Sequence, residues 1–289
     1  MKRINEAQLQ MLEALNTYRF LSVGQMITLG ICKTKYSISK NASLLLAGKK
    51  PLLAFADFGT FPTIGRLPRL YYLTKYGAEW LAEAFQVEAE DINHPKGVKI
   101  FTREYFHRVA TIDLHISARK FSESIEGMEF DFYHTYFEHT GANHSKSPNA
   151  QKRQALTRIT LQDRIFIPDV IFSVRAPDNV PYLFTAEIYR NHTTKRTFQQ
   201  LEHHIQSLSE SGISKAYQYP RAVRVLMVCE ELGAKKALQK RVAESPKFKP
   251  FEDFILFKTT EMIRQNFPAD WQSFTGQRMN AFIVPKRGN

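Results

Sequence analysis

Apolar residues along the first part of the chain recur at helical spacing, and the pattern then shortens to the period of strands. Leu9, Leu12 and Leu15 make one stripe over residues 5 to 18, which predicts a helix. Ser22-Val-Gly-Gln25 has the form of a capping box and opens a second short helix through Leu29. A third helix follows the Thr34 region to about Ala47, burying Ile38, Leu44 and Leu45 and leaving Lys35, Ser37, Lys40, Asn41 and Ser43 on its other side. An extended segment from Leu52 to Phe58, a loop from Gly59 to Pro68 punctuated by Gly and Pro, and a strand from Arg69 to Leu73 come next. Thr74 then caps a helix ending at Phe85. Residues 86 to 100, with Glu88, Glu90, Asp91, Pro95 and Gly97, follow neither period and read as a polar linker.

Beyond the linker the pattern predicts a helix from about Thr102 to Ser122 and a strand from Met128 to Phe137. Two strands follow between Phe166 and Arg190, then a helix from Thr194 to Ser211 and a strand from Ala222 to Cys229. A helix from Gly233 to Glu244 and a strand near Phe254 to Phe257 complete the order. The stretch FIPDVIFSVRAPDNVPYLFTAEIYR contains two apolar runs joined by a Pro-Asp-Asn turn, and each run carries a carboxylate, Asp169 and Glu187, where a core residue is expected. An unpaired charge inside such a run is strongly destabilising. An odd-length turn centred on Asp178 sets Asp169 directly against Glu187 on one side of the sheet, whereas a two-residue Asp178-Asn179 turn sets Asp169 against Ile188. In the first register the carboxylates repel unless a cation or a shared proton lies between them. A divalent ion meets that need: Mg²⁺ or Mn²⁺ takes oxygen ligands, polarises a phosphodiester and acidifies an attacking water.

Composition bounds the partners. A chain of 289 residues with 43% hydrophobic and 12% aromatic content can build one large or two ordinary domains. The formal charge of +12 favours a polyanionic partner, with nucleic acid ahead of an anionic membrane surface. No apolar run approaches the ~18 to 20 residues of a membrane helix, and no signal-peptide core follows the first residues. Cys32 and Cys229 are too isolated for a disulfide framework or a zinc cluster, so they read as buried thiols of a cytoplasmic protein. Phosphate-loop, Cys-x-x-Cys, His-x-His and His-Glu-x-x-His motifs do not occur. His203-His204 lies mid-helix, one side toward core and one toward solvent.

Three helices, a two-stranded ribbon with a basic loop and a closing helix describe a winged helix-turn-helix over residues 1 to 85, where eleven Lys and Arg face five acids. In that arrangement the third helix, with Lys35, Ser37, Lys40 and Asn41, enters a major groove of double-stranded DNA, and Arg66 and Arg69 of the ribbon reach a phosphate. Winged helices also serve as protein-protein modules. The segment Thr140 to Arg164 carries Lys146, Lys152, Arg153, Arg158 and Arg164 against Asp163 alone, and reads either as a solvated loop or hairpin or as an arm that orders on a DNA backbone.

In residues 101 to 289 the order helix, three strands, helix, strand resembles the core of restriction-endonuclease-like nucleases, an α/β domain with a mixed sheet; the whole chain is then α+β. IPDVIF, FTAEIYR and a polar helix, preceded by a winged helix ending YYLTKYG, are together similar to the replication-relaxation family, which includes the MobC-type relaxases of conjugative plasmids. The resemblance covers most of the chain. It implies a protein of plasmid mobilisation or replication that nicks DNA, with Asp169 and Glu187 as metal ligands and other mobilisation or replication proteins as partners. Two departures bear on catalysis. Tyr189 stands where the nuclease pattern has Lys and the relaxase family commonly another acid; Lys195, Arg196 or Arg190 could supply the missing cation. The helix after Glu187 lacks the family's tyrosine, which leaves Tyr189 as the nearest nucleophile and Tyr217 and Tyr219 as more remote ones. The alternative is a DNA-binding regulator or accessory protein with a degenerate nuclease-like domain.

Overall fold

The computed structural model describes residues 3–95, 104–140, 154–190, 194–221 and 223–282. The chain is α+β and divides into two compact units, Met1–Ile112 and Asp113–Asn289. The first contains α1 (Glu6–Tyr18), α2 (Val23–Thr28), α3 (Lys35–Leu46), β1 (Leu53–Ala56), β2 (Thr60–Phe61), β3 (Gly65–Arg66), β4 (Leu70–Leu73), α4 (Lys75–Phe85) and the start of α5 (Tyr105–Glu123). Side-chain caps set the helix starts. Asn5 and Gln8 exchange bonds across the first turn of α1, Ser22 and Gln25 do the same at α2, and Thr34 and Thr74 accept the backbone N–H groups of Ser37 and Gly77. Met11, Leu12, Leu15, Leu21, Met26, Ile38, Leu45 and Leu53 fill the core. The buried stripe of α3 is Ile38, Ala42 and Leu45, so Leu44, expected inside, lies on the exposed side of the helix. β1 pairs antiparallel with β4, and Leu21 bridges Tyr71 on the far edge of β4. The expected Gly59–Pro68 loop contains a small hairpin, β2 with β3.

The polar stretch after α4 packs onto the first unit. Ile92 is buried, and the backbone N–H of Asn93 donates to Asn16 Oδ1 at 2.8 Å. The first turn of α5 belongs with it: Tyr105 packs on Phe58 (4.7 Å between centroids) and Phe106 on Phe61 (5.3 Å). This places the division between units inside α5, past the 86–100 segment.

The second unit adds β5 (Glu129–Thr135), β6 (His139–Thr140), β7 (Gln154–Ala155), β8 (Ile159–Thr160), β9 (Ile165–Phe166), β10 (Val170–Arg175) and β11 (Pro181–Tyr189). After them come α6 (Thr194–Glu210), α7 (Gly212–Ala216), β12 (Arg224–Cys229), α8 (Leu232–Ala243), β13 (Ile255–Thr259), α9 (Thr260–Gln265), β14 (Trp271–Gln272) and β15 (Arg278–Met279). A seven-stranded mixed sheet has the order β15-β14-β13-β12-β11-β10-β5, parallel from β11 to β13 and antiparallel elsewhere. On one face Ile171, Leu183, Tyr189, Val225 and Met227 form a cluster with Leu201 and Ile205 of α6 and Leu238 of α8. On the other, Phe172 stacks on Phe184 and Phe130.

Two cations are buried in the central strands. The Arg224 guanidinium donates to the carbonyl of Asn280 at 2.8 Å, and burial pulls its pKa down to about 10. The Lys258 ammonium donates to the carbonyls of Asn266 and Ala269, and burial lowers it to about 8. Residues 154–164 do not form an arm. Ala155, Thr157, Ile159 and Leu161 alternate inward, β7 pairs with β6, and β8 pairs with β9. Arg158 is exposed on the outer side of that alternation; Lys146, Lys152 and Arg153 lie outside the described residues.

Candidate functional site

In the first unit no Asp or Glu occurs between Glu13 and Asp57, a stretch that carries Arg19, Lys33, Lys35, Lys40, Lys49 and Lys50. Lys35, Tyr36, Ser39, Lys40 and Ser43 form the exposed face of α3, with Tyr36 76% exposed. Ser37 and Asn41, expected on that face, are half-buried. Ser37 is tied to the Thr34 cap, while Asn41 donates to the Ser37 carbonyl and accepts from Asn5. At the ribbon, Asp57 Oδ2 holds both arginines, Arg66 Nη2 at 2.7 Å and Arg69 Nε at 3.2 Å. The Arg69 guanidinium also lies over the Phe55 ring at 4.2 Å. The Gly59 backbone N–H and the two arginines hold the Asp57 carboxyl down at a pKa of about 2. This pairing restricts two exposed cations to one orientation.

The second candidate is the acid pair. A five-residue connection joins β10 to β11, and the ladder pairs Val170 with Ala186 and Arg175 with Pro181, so one step beyond Val170 Asp169 lies across from Glu187. This is the register of the odd-length turn centred on Asp178. Glu187 is buried, and its Oε1 lies 2.8 Å from Nε2 of His204, a fully buried residue of α6. Asp169 is half-buried, and its Oδ2 accepts the Ile188 backbone N–H at 2.8 Å.

The charge state follows from burial. Desolvation first, then the Asp169 charge, raise the Glu187 carboxyl well above its ordinary value, and a hydrogen bond to Asp169 acts the same way. Glu187 therefore holds its proton and donates it toward Asp169. Burial pulls His204 down to about 3, so its ring is neutral. With the Glu187 proton directed to Asp169, His204 Nε2–H donates to Glu187 Oε1. That tautomer makes the buried Nδ1, which has no hydrogen-bond partner, a bare acceptor, which is tolerated better than an orphaned N–H. Asp169, Glu187 and His204 thus form one connected polar chain. Of the compensations considered for the acid pair, the geometry matches the shared proton.

The other expected catalytic groups lie elsewhere. Tyr189 is buried in the hydrophobic cluster under α6, so the structure does not bear out its expected role as a nucleophile: burial leaves its side chain in packing. Arg190 Nε pairs with Glu230 at 3.2 Å, and Lys195 is exposed in the first turn of α6. Tyr217 donates to the Leu156 carbonyl and stacks on Phe132, and Tyr219 donates to the Pro181 carbonyl. A divalent ion at Asp169 and Glu187 would have to displace the Glu187 proton, part Glu187 from His204, and bring its waters beside the Phe166 ring, which stands edge-on to His204 at 5.2 Å. Such an ion would need both carboxylates ionised. Among the described residues no group of three or more His, Cys, Asp or Glu side chains is arranged to hold a metal.

His204, read from the sequence only as one of a mid-helix pair with one side toward the core, is the partner of Glu187 that the sequence did not point to. It falls at the centre of the stripe Leu201, Ile205 and Leu208, a signal that it faces the sheet. No protein family, curated protein or solved structure matches the chain. No helix among the described residues is long and apolar enough to cross a membrane.

Proposed function

We propose that the chain is a DNA-binding protein, a regulator or accessory factor of mobilisation or replication. In this reading its first unit is a winged helix and its second a nuclease-like domain without metal chemistry. The observation that carries the proposal is the acid-free stretch between Glu13 and Asp57, in which Lys35, Lys40 and the exposed Tyr36 lie on the outward face of α3. Lys35, Tyr36, Ser39 and Lys40 suit a major groove, where short donors and Lys read base edges and phosphates. Arg66 and Arg69, oriented by Asp57, suit the flanking phosphate or minor groove. Neutralising Lys35, Lys40, Arg66 and Arg69 together to Ala should weaken duplex binding and flatten the slope of log affinity against log salt by roughly one unit per lost phosphate contact. Fluorescence anisotropy across a salt series measures both. Unchanged affinity and slope would overturn the assignment.

A second reading, a DNA nickase, draws on the same register, because Asp169 and Glu187 face each other as a metal pair would. A supercoiled plasmid carrying the noncoding DNA next to this protein's own coding region separates the two readings. Nicking that requires Mg²⁺ or Mn²⁺, stops with EDTA and disappears in Glu187→Gln would establish the nickase.

A further inference from the structure

Away from the Asp169, Glu187 and His204 chain, the second unit gathers cations around a single ring. Phe198, one turn into α6, has the Arg241 guanidinium of α8 over it at 4.7 Å and the Lys247 ammonium, from the turn after α8, at 4.9 Å. The Phe248 ring closes the inner side of Phe198, at 5.2 Å and edge-on, and is itself fully buried. Lys195 and Arg196 stand exposed three and two residues before Phe198, and Lys240 is exposed beside Arg241. From Leu232 to Pro250 there are six Lys and Arg and one acid, Glu244. Glu202 also pairs with Lys247.

Glu202 pairs with Lys247 and Glu244 with Lys240, yet the cations of the corner still outnumber these acids, so it presents net positive charge to a polyanion. The residues that fix the cluster are structural: Phe248 is buried, Phe198 packs edge-on against it, and Lys247 lies over both rings. The charged ends are held in place by their stems on a rigid corner of two helices and a turn. Cations over an aromatic ring on such a corner are a feature of surfaces that track a phosphate backbone.

We propose that this α6–α8 corner is a second nucleic-acid backbone site, formed by Arg241 and Lys247 over Phe198 together with Lys195 and Arg196, exposed in the first turn of α6. It stands on the second unit alone and does not depend on the first unit being a winged helix. Two sites on one chain would raise the salt dependence of the whole protein above that of either site.

The test uses the full chain and a labelled random-sequence duplex, in the wild-type background and in the Lys35, Lys40, Arg66, Arg69 quadruple Ala background. Neutralising Lys195, Arg196, Arg241 and Lys247 to Ala should lower affinity at least tenfold at low salt and reduce the log-log salt slope in both backgrounds. A charge-matched control replaces Lys120, Lys215, Arg221 and Arg278, which are exposed on other parts of the unit, and should change both quantities much less. Thermal midpoints within about two degrees of the parent establish that each variant is folded. Equal losses from the corner and control variants would mean that net charge alone acts, and would overturn the site. Unchanged binding in the corner variant would do the same. So would loss of binding to phosphatidylserine vesicles with DNA binding intact, because the surface would then serve a membrane. If the first-unit variant binds as wild type while the corner variant fails, the winged-helix reading falls and the corner stands.

Discussion

Glu187→Gln gives a quantitative test of the buried chain. Gln keeps the size of the side chain, and its amide can donate to Asp169 while its oxygen accepts from His204, so the polar connections survive. What the substitution removes is the titration. The ordinary value for Glu187 is 4.5, and in the folded protein burial and Asp169 hold it well above that. A group whose pKa rises on folding contributes stability that is full below the unfolded value and is lost as pH rises toward the folded value. Over that window one extra proton bound in the folded state removes about 1.4 kcal/mol per pH unit. The Gln variant should therefore match wild type near pH 4.5 and then gain on it by about 1.4 kcal/mol per unit as pH rises. His204 acts in the opposite sense. Its pKa falls from 6.5 to about 3, so its contribution is full above pH 6.5 and is lost as pH falls toward 3. Both variant and wild type share that acid limb, so it cancels in the comparison. Urea melts at several pH values, followed by the fluorescence of the buried Trp271 in a Trp80→Phe background, report the second unit. A difference between variant and wild type that stays flat with pH would refute the neutral Glu187. A large, pH-independent loss of stability in the variant would point instead to an ionised Glu187 paired with a protonated His204.

Gly77→Ala should destabilise the first unit although alanine favours helices by about 1 kcal/mol. A Cβ at Gly77 would sit 2.0 Å from the Leu52 backbone carbonyl oxygen, and backbone there can move only by shifting β1, an overpacking cost of about 1 to 3 kcal/mol or more. A thermal midpoint at or above wild type, read from Trp80, would refute this. Asp57→Asn releases Arg66 and Arg69 from their shared carboxylate and should tighten duplex binding at low salt. Weaker binding would show that orientation by Asp57 outweighs the added charge.

Most of the secondary structure was legible because its signals are local. The capping residues Ser22, Thr34 and Thr74 mark helix starts that the structure keeps, and the alternation around Asp169 and Glu187 gave two strands whose register an odd-length turn sets. Leu44 was misplaced because a leucine triplet fits two phases of a helix, and only packing against the sheet chooses Ala42 over it. For residues 154–164 the arm reading came from grouping them with the polar Ser, Asn and Lys stretch before them, while Ala155, Thr157, Ile159 and Leu161 carry an inward period that suits the hairpin alternative. The acid pair itself was visible, but its partner was not. His204 lies at a recognisable position on its own helix, yet which strand end that helix covers is decided by long-range packing that no spacing in the sequence records.

Arg224 and Lys258 bind backbone carbonyls that come later in the chain, at Asn266, Ala269 and Asn280. During synthesis, the central strands β12 and β13 leave the ribosome before those acceptors exist. Until residues 266 to 280 emerge, both strands carry a cation that must remain in water, which keeps the sheet from closing around them. The first unit, which ends at Ile112 within α5, has no such dependence. The two units should therefore fold in sequence on the ribosome, with the first settled while the second waits for its carbonyls. A truncation before Asn266 should leave the second unit open to protease and the first unit intact.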